Sequence, residues 1–139
     1  VRHYEDFEIG GRTEIPGTYV LTREEIEEMD ERWGHLGPAG PETAATTVHL
    51  FAISVRLGMA GAPVAPVSSL GLSHITDHAP ARPGDVLRIQ DRIVDKRLSN
   101  SNPGMGIVSF ECELVNQHDE PVLSYASAAL VRCRVVPVD

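Results

Sequence analysis

From residue 23 to 33 the chain is charged at every position except Ile26, Met29 and Trp33, which recur at helical spacing and predict an amphipathic helix. Thr22, with Glu25 three residues on, forms a capping box at its start, and Leu21 and Ile26 are placed for a hydrophobic staple. Gly34 is a suitable stop. Residues 33–41 (WGHLGPAGP) carry three glycines and two prolines and read as a loop. Pro41 then opens a second predicted helix, with Glu42 in the first turn, where a carboxylate suits the helix dipole. Over residues 44–59 apolar side chains fall on nearly every face: Val48, Phe51, Val55 and Met59 on one, Leu50, Ile53 and Leu57 on another. A helix of that kind is expected to be buried. His49 and Arg56, seven apart, form its one narrow polar stripe.

Beyond Gly61 and Pro63 the period becomes two. Residues 85–99 read as a long strand. Val108, Phe110, Cys112 and Leu114 alternate with Ser109, Glu111 and Glu113 as a second, and residues 122–136 make a third after a turn at 116–121. Residues 13–21 allow a further short strand despite Pro16 and Gly17. Three long antiparallel strands around one buried helix predict a single α+β domain spanning 1–139. A sheet that wraps one apolar helix is the hot-dog arrangement. Its exposed sheet edges favour a homodimer or a higher oligomer of dimers.

Composition changes this picture mainly by exclusion. Aromatics at 5% leave little to stack bases on, and a net charge of −8 argues against nucleic acid or an anionic membrane as partner. His49, Ser54 and Arg56 interrupt the longest apolar stretch, so no membrane span is expected; with no leader pattern at the start, the expected location is cytoplasmic. Cys112 and Cys133 each sit in an alternating apolar run, as small buried hydrophobes would. Arg82, Arg88, Arg92, Lys96 and Arg97 form a basic cluster, read either as a solvated strand face or as a contact for carrier phosphates or an acidic carrier protein. His74 and His78 alternate onto one strand face with Asp77 on the other, which gives two imidazoles and no clear third ligand, so no metal is expected and a strand end or pocket rim is the reading. No glycine-rich strand–turn–helix signature points to a redox cofactor, and none is expected.

Several phrases of the chain, in order, resemble one family. Tyr4-Glu5-Asp6-Phe7-Glu8-Ile9-Gly10 and the helix opening Thr22…Glu25-Ile26 are similar to the start of MaoC-like enoyl-thioester hydratases and dehydratases. Pro80-Ala81-Arg82-Pro83-Gly84-Asp85 resembles that family's Pro-x-Arg-Pro-Gly-Asp turn. Lys96-Arg97-Leu98-Ser99-Asn100-Ser101, Gly106-Ile107-Val108 and Asn116-Gln117 resemble its later stretches. The resemblance implies a hot-dog domain acting at the β-carbon of an acyl-CoA or acyl-carrier-protein thioester. In that family the carbonyl sits at the N-terminus of the buried helix, and an Asp and a His five residues later handle water and proton. Such chemistry needs a base for the water, an acid for Cα and donors for an enolate-like oxygen.

The family's Asp-x-Asn-Pro-x-His string is missing, and two placements stay open. In one, Asp30 and His35 take the dyad roles by their spacing of five, with Asp30 on the face of Ile26 and Trp33. In the other, the helix aligns without gaps; the Asp position falls on Gly34 or His35, the His position on Ala39 or Gly40, and the dyad is lost. His35 is the expected acid/base and Asp30 its companion, while Asp30 also reads as one more acid of the run 24–31. Thr46, Thr47, Val48 and His49 stand where the family writes small-small-Gly-x-His, and with Trp33 they are the expected substrate-binding residues. A His on such a stripe also reads as a hydrogen-bonded core group. Alternatives are a hot-dog thioesterase using Glu42, a diverged addition or cyclisation enzyme, and a non-catalytic subunit of a hydratase.

Overall fold

The computed structural model describes residues 1–35 and 43–135. A single 3-10 turn at Tyr4–Asp6 is followed by β1 (Arg12–Glu14), β2 (Tyr19–Val20), α1 (Arg23–Trp33), α2 (Thr47–Gly61), β3 (Pro66–Asp77), β4 (Val86–Leu98), β5 (Met105–Val115) and β6 (Pro121–Arg132). The strands form an antiparallel sheet in the order β1-β4-β5-β6-β3, with β2 also pairing with β4. The expected α+β hot-dog architecture is therefore present, with α2 against the sheet.

Alternation in β4 and β5 puts Leu87, Ile89, Ile93, Val108, Phe110 and Leu114 in the core. The main cluster joins Leu87, Ile89, Leu114 and Leu123 to Leu50, Ile53 and Leu57 of α2 and to Ile26 of α1. A second, smaller cluster gathers Phe7, Ile93, Val108, Phe110 and Val131. Between them runs a seam of polar side chains. Cys112 packs against both clusters, Asp91 and Tyr125 are its cross-strand neighbours, and the Tyr125 hydroxyl lies 2.9 Å from Ser54 Oγ on α2. Asp91 is 5% exposed and meets Arg2 at 3.4 Å. Desolvation pushes the Asp91 carboxyl up, against the pull of the Arg2 guanidinium. Burial likewise pushes the Cys112 thiol up to about 11, so this cysteine is an unreactive core group.

Four expectations need correction. The first is the start of the second helix. Residues 43–46 are not helical, and α2 begins at Thr47 because Thr46 is its N-cap, with Thr46 Oγ1 accepting from the His49 N–H at 3.2 Å. Pro41 and Glu42 lie outside the described residues. Second, α2 is not covered on every face. Val48, Val55 and Met59 are exposed, because the sheet takes only the Leu50, Ile53 and Leu57 side. Third, a fourth long strand, β3, precedes the three anticipated ones. Register shifts between Ser69 and Gly71 and between Ser73 and Thr76, with His74 at φ 55°, break its alternation. His74, Ile75, Thr76, Asp77 and His78 therefore do not follow a simple two-residue repeat, and all five are exposed. The short strand anticipated at 13–21 is two, β1 and β2.

The expected strand-face reading of the basic cluster fits the ion pairs formed. Arg88 pairs with Glu14 and Asp119, Arg92 with Glu111, and the Lys96 ammonium lies 4.4 Å from the Tyr4 ring centroid.

Candidate functional site

Two histidine–carboxylate pairs flank the helices, and each follows from local chain chemistry. The first hangs on the end of α1. Gly34 has φ 81°, a value that a side chain would strain, and its N–H closes the helix on Asp30 O at 2.9 Å. The chain then doubles back and brings His35 Nδ1 to 3.1 Å from Asp30 Oδ2. The spacing of five thus becomes a contact. His35 is 43% exposed and Asp30 31%, although Asp30 Oδ1 is itself enclosed with no hydrogen-bond partner. Trp33 does not shelter them: it is 71% exposed, at the last residue of α1, two turns beyond Ile26 where the helix enters the core. The expected pocket of Asp30 beside a buried Trp33 is not formed.

The second pair links the two helices. The capping box at Thr22 is present, with the Thr22 N–H donating to Glu25 Oε1 at 2.8 Å and Thr22 Oγ1 accepting from the Glu25 N–H at 3.2 Å. That geometry turns Glu25 Oε2 inward. It accepts from the Tyr19 hydroxyl at 2.5 Å and lies 3.1 Å from His49 Nε2. Desolvation pulls the Glu25 carboxyl up, but hydrogen bonds from Tyr19, the Thr22 N–H and His49 outweigh it and hold the group below its usual value. The same bond to Glu25, with desolvation second, pushes the Tyr19 hydroxyl up. His49 is 7% exposed. An ionised Glu25 carries no proton, so the His49 bond must be donated by Nε2–H. Its Nδ1 is buried with no hydrogen-bond partner.

Thr46, Thr47, Val48 and His49 form the cap and first turn of α2. Thr46 Oγ1 takes the His49 N–H and Thr46 O takes the Leu50 N–H, which leaves the N–H groups of Thr47 and Val48 as the outward donors of that end. Thr47 Oγ1 donates to Asp77 Oδ2 at 2.5 Å. Ala45 N–H donates to Ala81 O and Arg23 Nη1 to Thr43 Oγ1, so the approach to α2 is tied both to the sheet side and to α1. The binding residues anticipated from sequence are thus adjacent, except Trp33.

Glu25 and Tyr19 were not anticipated as site residues. Their sequence signals were those of a cap and a short strand, and only the tertiary fold brings them to His49. On their outer side lies a cleft of 720 Å³ lined by Tyr19, Thr22, Glu25, Arg56, Leu57 and Gly61 among others. A second hollow, of 620 Å³, lies over the sheet at Gln90, Arg92, Glu111 and Glu113, where opposite charges and amides already bond one another. His78 Nε2 lies 2.7 Å from Ser124 Oγ and His74 Nδ1 3.1 Å from Ser73 Oγ. Among the described residues no three His, Cys, Asp or Glu side chains converge on a metal position.

No family model and no curated protein matches the chain. Solved structures do. A MaoC-like dehydratase from Rhodospirillum rubrum superposes with a TM-score of 0.82 at 22% identity, over 96% of this chain and 99% of that one. An R-hydratase from Pseudomonas aeruginosa gives 0.71 at 16% identity, over 99% and 95%. A Mycobacterium tuberculosis protein described as a double hot-dog fold gives 0.77 at 12% identity, and this chain spans 46% of its length. The chain has the hot-dog fold that these proteins carry.

Proposed function

We propose that the chain is a hydratase or dehydratase acting at the β-carbon of an α,β-unsaturated or β-hydroxy acyl thioester carried by coenzyme A or an acyl carrier protein. The observation that carries this reading is the 3.1 Å Asp30–His35 contact, at the sequence spacing the resemblance implies, in a fold shared with a dehydratase and an R-hydratase. Asp30 orients the His35 ring through Nδ1, and His35 would move the proton between water and Cα. The outward N–H groups of Thr47 and Val48 would hold the thioester oxygen as negative charge develops on it. Residues 1–139 act as one hot-dog unit, located in the cytoplasm. The free edge of β3, with Leu70, Leu72 and Ile75 exposed, suits pairing with a second copy. A relative with two hot-dog units in one chain supports that arrangement.

The test is incubation of the purified protein with crotonyl-CoA, following enoyl absorbance and free thiol separately. Loss of absorbance without thiol release is the expected result. Thiol release would make the chain a thioesterase, and no change across several acyl lengths would remove the enzymatic reading.

A further inference from the structure

We propose that the cleft between the β1–β2 connector and the second half of α2 binds a small aliphatic carboxylate, with the Arg56 guanidinium as the group that holds it. The site is separate from the Asp30–His35 pair and does not depend on the hydratase reading. None of Asp30, His35, Thr47 and Val48 lines this cleft.

Four observations carry it. The first is size: the cleft measures 720 Å³, within the range of roughly 300–1,000 Å³ common for small-molecule sites. The second is charge. Arg56 is the cation among the lining residues, it is exposed, and it forms no hydrogen bond or ion pair with any described residue. Glu25, the carboxylate of the same wall, is already occupied. Its Oε1 accepts from the Thr22 N–H at 2.8 Å, and its Oε2 is held by Tyr19 and His49. The guanidinium is thus left with its planar fork of N–H donors open, and that fork matches the two oxygens of a carboxylate. The Tyr19 hydroxyl is pushed up by its bond to Glu25 and by desolvation, and the Arg56 charge pulls it the other way. Arg56 therefore lies within electrostatic reach of Tyr19. Third, the remaining walls include Pro16, Val20, Leu57 and Ala60, and Val20 is 57% exposed. A cation beside uncovered apolar surface selects an anion with an apolar body over a bare ion. Fourth, the two walls are fitted to each other. A Cβ at Gly61 would stand 2.1 Å from Pro16 O, so the connector meets the end of α2 only because residue 61 has no side chain.

The probe is octanoate, titrated into the 139-residue chain labelled with nitrogen-15 at arginine, with the Arg56 Nε–H signal assigned from Arg56→Lys. Octanoate should shift that signal saturably with a Kd of about 1 mM. Octanamide, of the same length without the charge, should leave it in place. Acetate, which lacks the apolar body, should bind at least about tenfold more weakly. In calorimetry, Arg56→Gln should weaken octanoate binding at least about tenfold, and Arg56→Lys, which keeps the charge but not the fork, should keep part of the affinity. Ala60→Trp fills the cleft and should remove binding with Arg56 still present. Arg56 and Ala60 are both exposed, and circular dichroism checks that each variant folds. Equal binding of octanamide, or unchanged octanoate binding in Arg56→Gln or Ala60→Trp, would overturn the proposal. So would an Arg56 signal that stays unmoved at saturation, which would put the acid on another apolar face such as that of Val48, Val55 and Met59. The crotonyl-CoA assay is a separate readout, so a chain inactive as a hydratase would still show or fail to show this site.

Discussion

The two histidine–carboxylate pairs share a contact distance of 3.1 Å and almost nothing else. Asp30–His35 closes a helix end, spans five residues and is partly exposed. Glu25–His49 spans twenty-four residues, joins α1 to α2 and is largely buried. An exposed pair is screened by water and salt and contributes little to folding, whereas a buried one cannot lose a partner without stranding the other. Equal geometry therefore does not mean equal energy. The outer pair is therefore expected to matter less to the fold than the enclosed one.

That contrast is most sharply tested at His35. His35→Ala should lower enoyl-CoA turnover by about 10²- to 10⁴-fold while the urea midpoint stays unchanged; retained activity would move the chemistry elsewhere. The converse change is Glu25→Gln, which keeps one acceptor oxygen and turns the other into a donor, so that either the Thr22 N–H or Tyr19 and His49 lose their acceptor. It should cost about 2–3 kcal/mol in urea unfolding, and an unaltered midpoint would erase the distinction between the pairs.

The pH dependence sharpens it further. The folded Glu25 carboxyl is held below its usual value of 4.5, so it adds stability above that value and loses it as pH falls through the lower folded one. Unfolding measured from pH 6 to pH 3 should show wild-type stability falling more steeply below about pH 4.5 than that of Glu25→Gln. Asp30→Asn should give the smallest effect. Its stability should move by no more than about 0.5 kcal/mol, with turnover down about tenfold from the loss of one charge-assisted bond.

Much of this was legible where the determining interactions are local. The capping box at Thr22 and Glu25 needs only four residues of chain, and α1 formed where it was read. Alternation at Val108, Phe110 and Leu114 placed β5, and the flanking strands followed within a few residues. The Asp30–His35 contact was legible as a spacing, although the exposure of Trp33 was not. Legibility failed where distant partners decide. Pro66, Gly71 and three register shifts hid β3, which is held by its pairing to β6 rather than by its own pattern. An apolar helix says that it seeks cover, but not which face the sheet will take, so Val48, Val55 and Met59 were misjudged. Glu25 looked complete as a cap, and nothing near it in sequence announces His49.

The seam of Asp91, Cys112, Tyr125 and Ser54 has a consequence for motion. It interrupts the apolar interior, so the cluster around Phe7 and Phe110 and the cluster around α2 meet across polar atoms rather than interlocked methyl groups. The two clusters are therefore expected to open separately. The N-terminal segment, pinned through Arg2 to Asp91, Ala62 and Pro63, is the clasp of the smaller one. Amide hydrogens beneath Phe7 would then exchange with solvent earlier than those beneath Leu50 and Leu114, and the end of the fold that carries the two histidines would be the last to loosen.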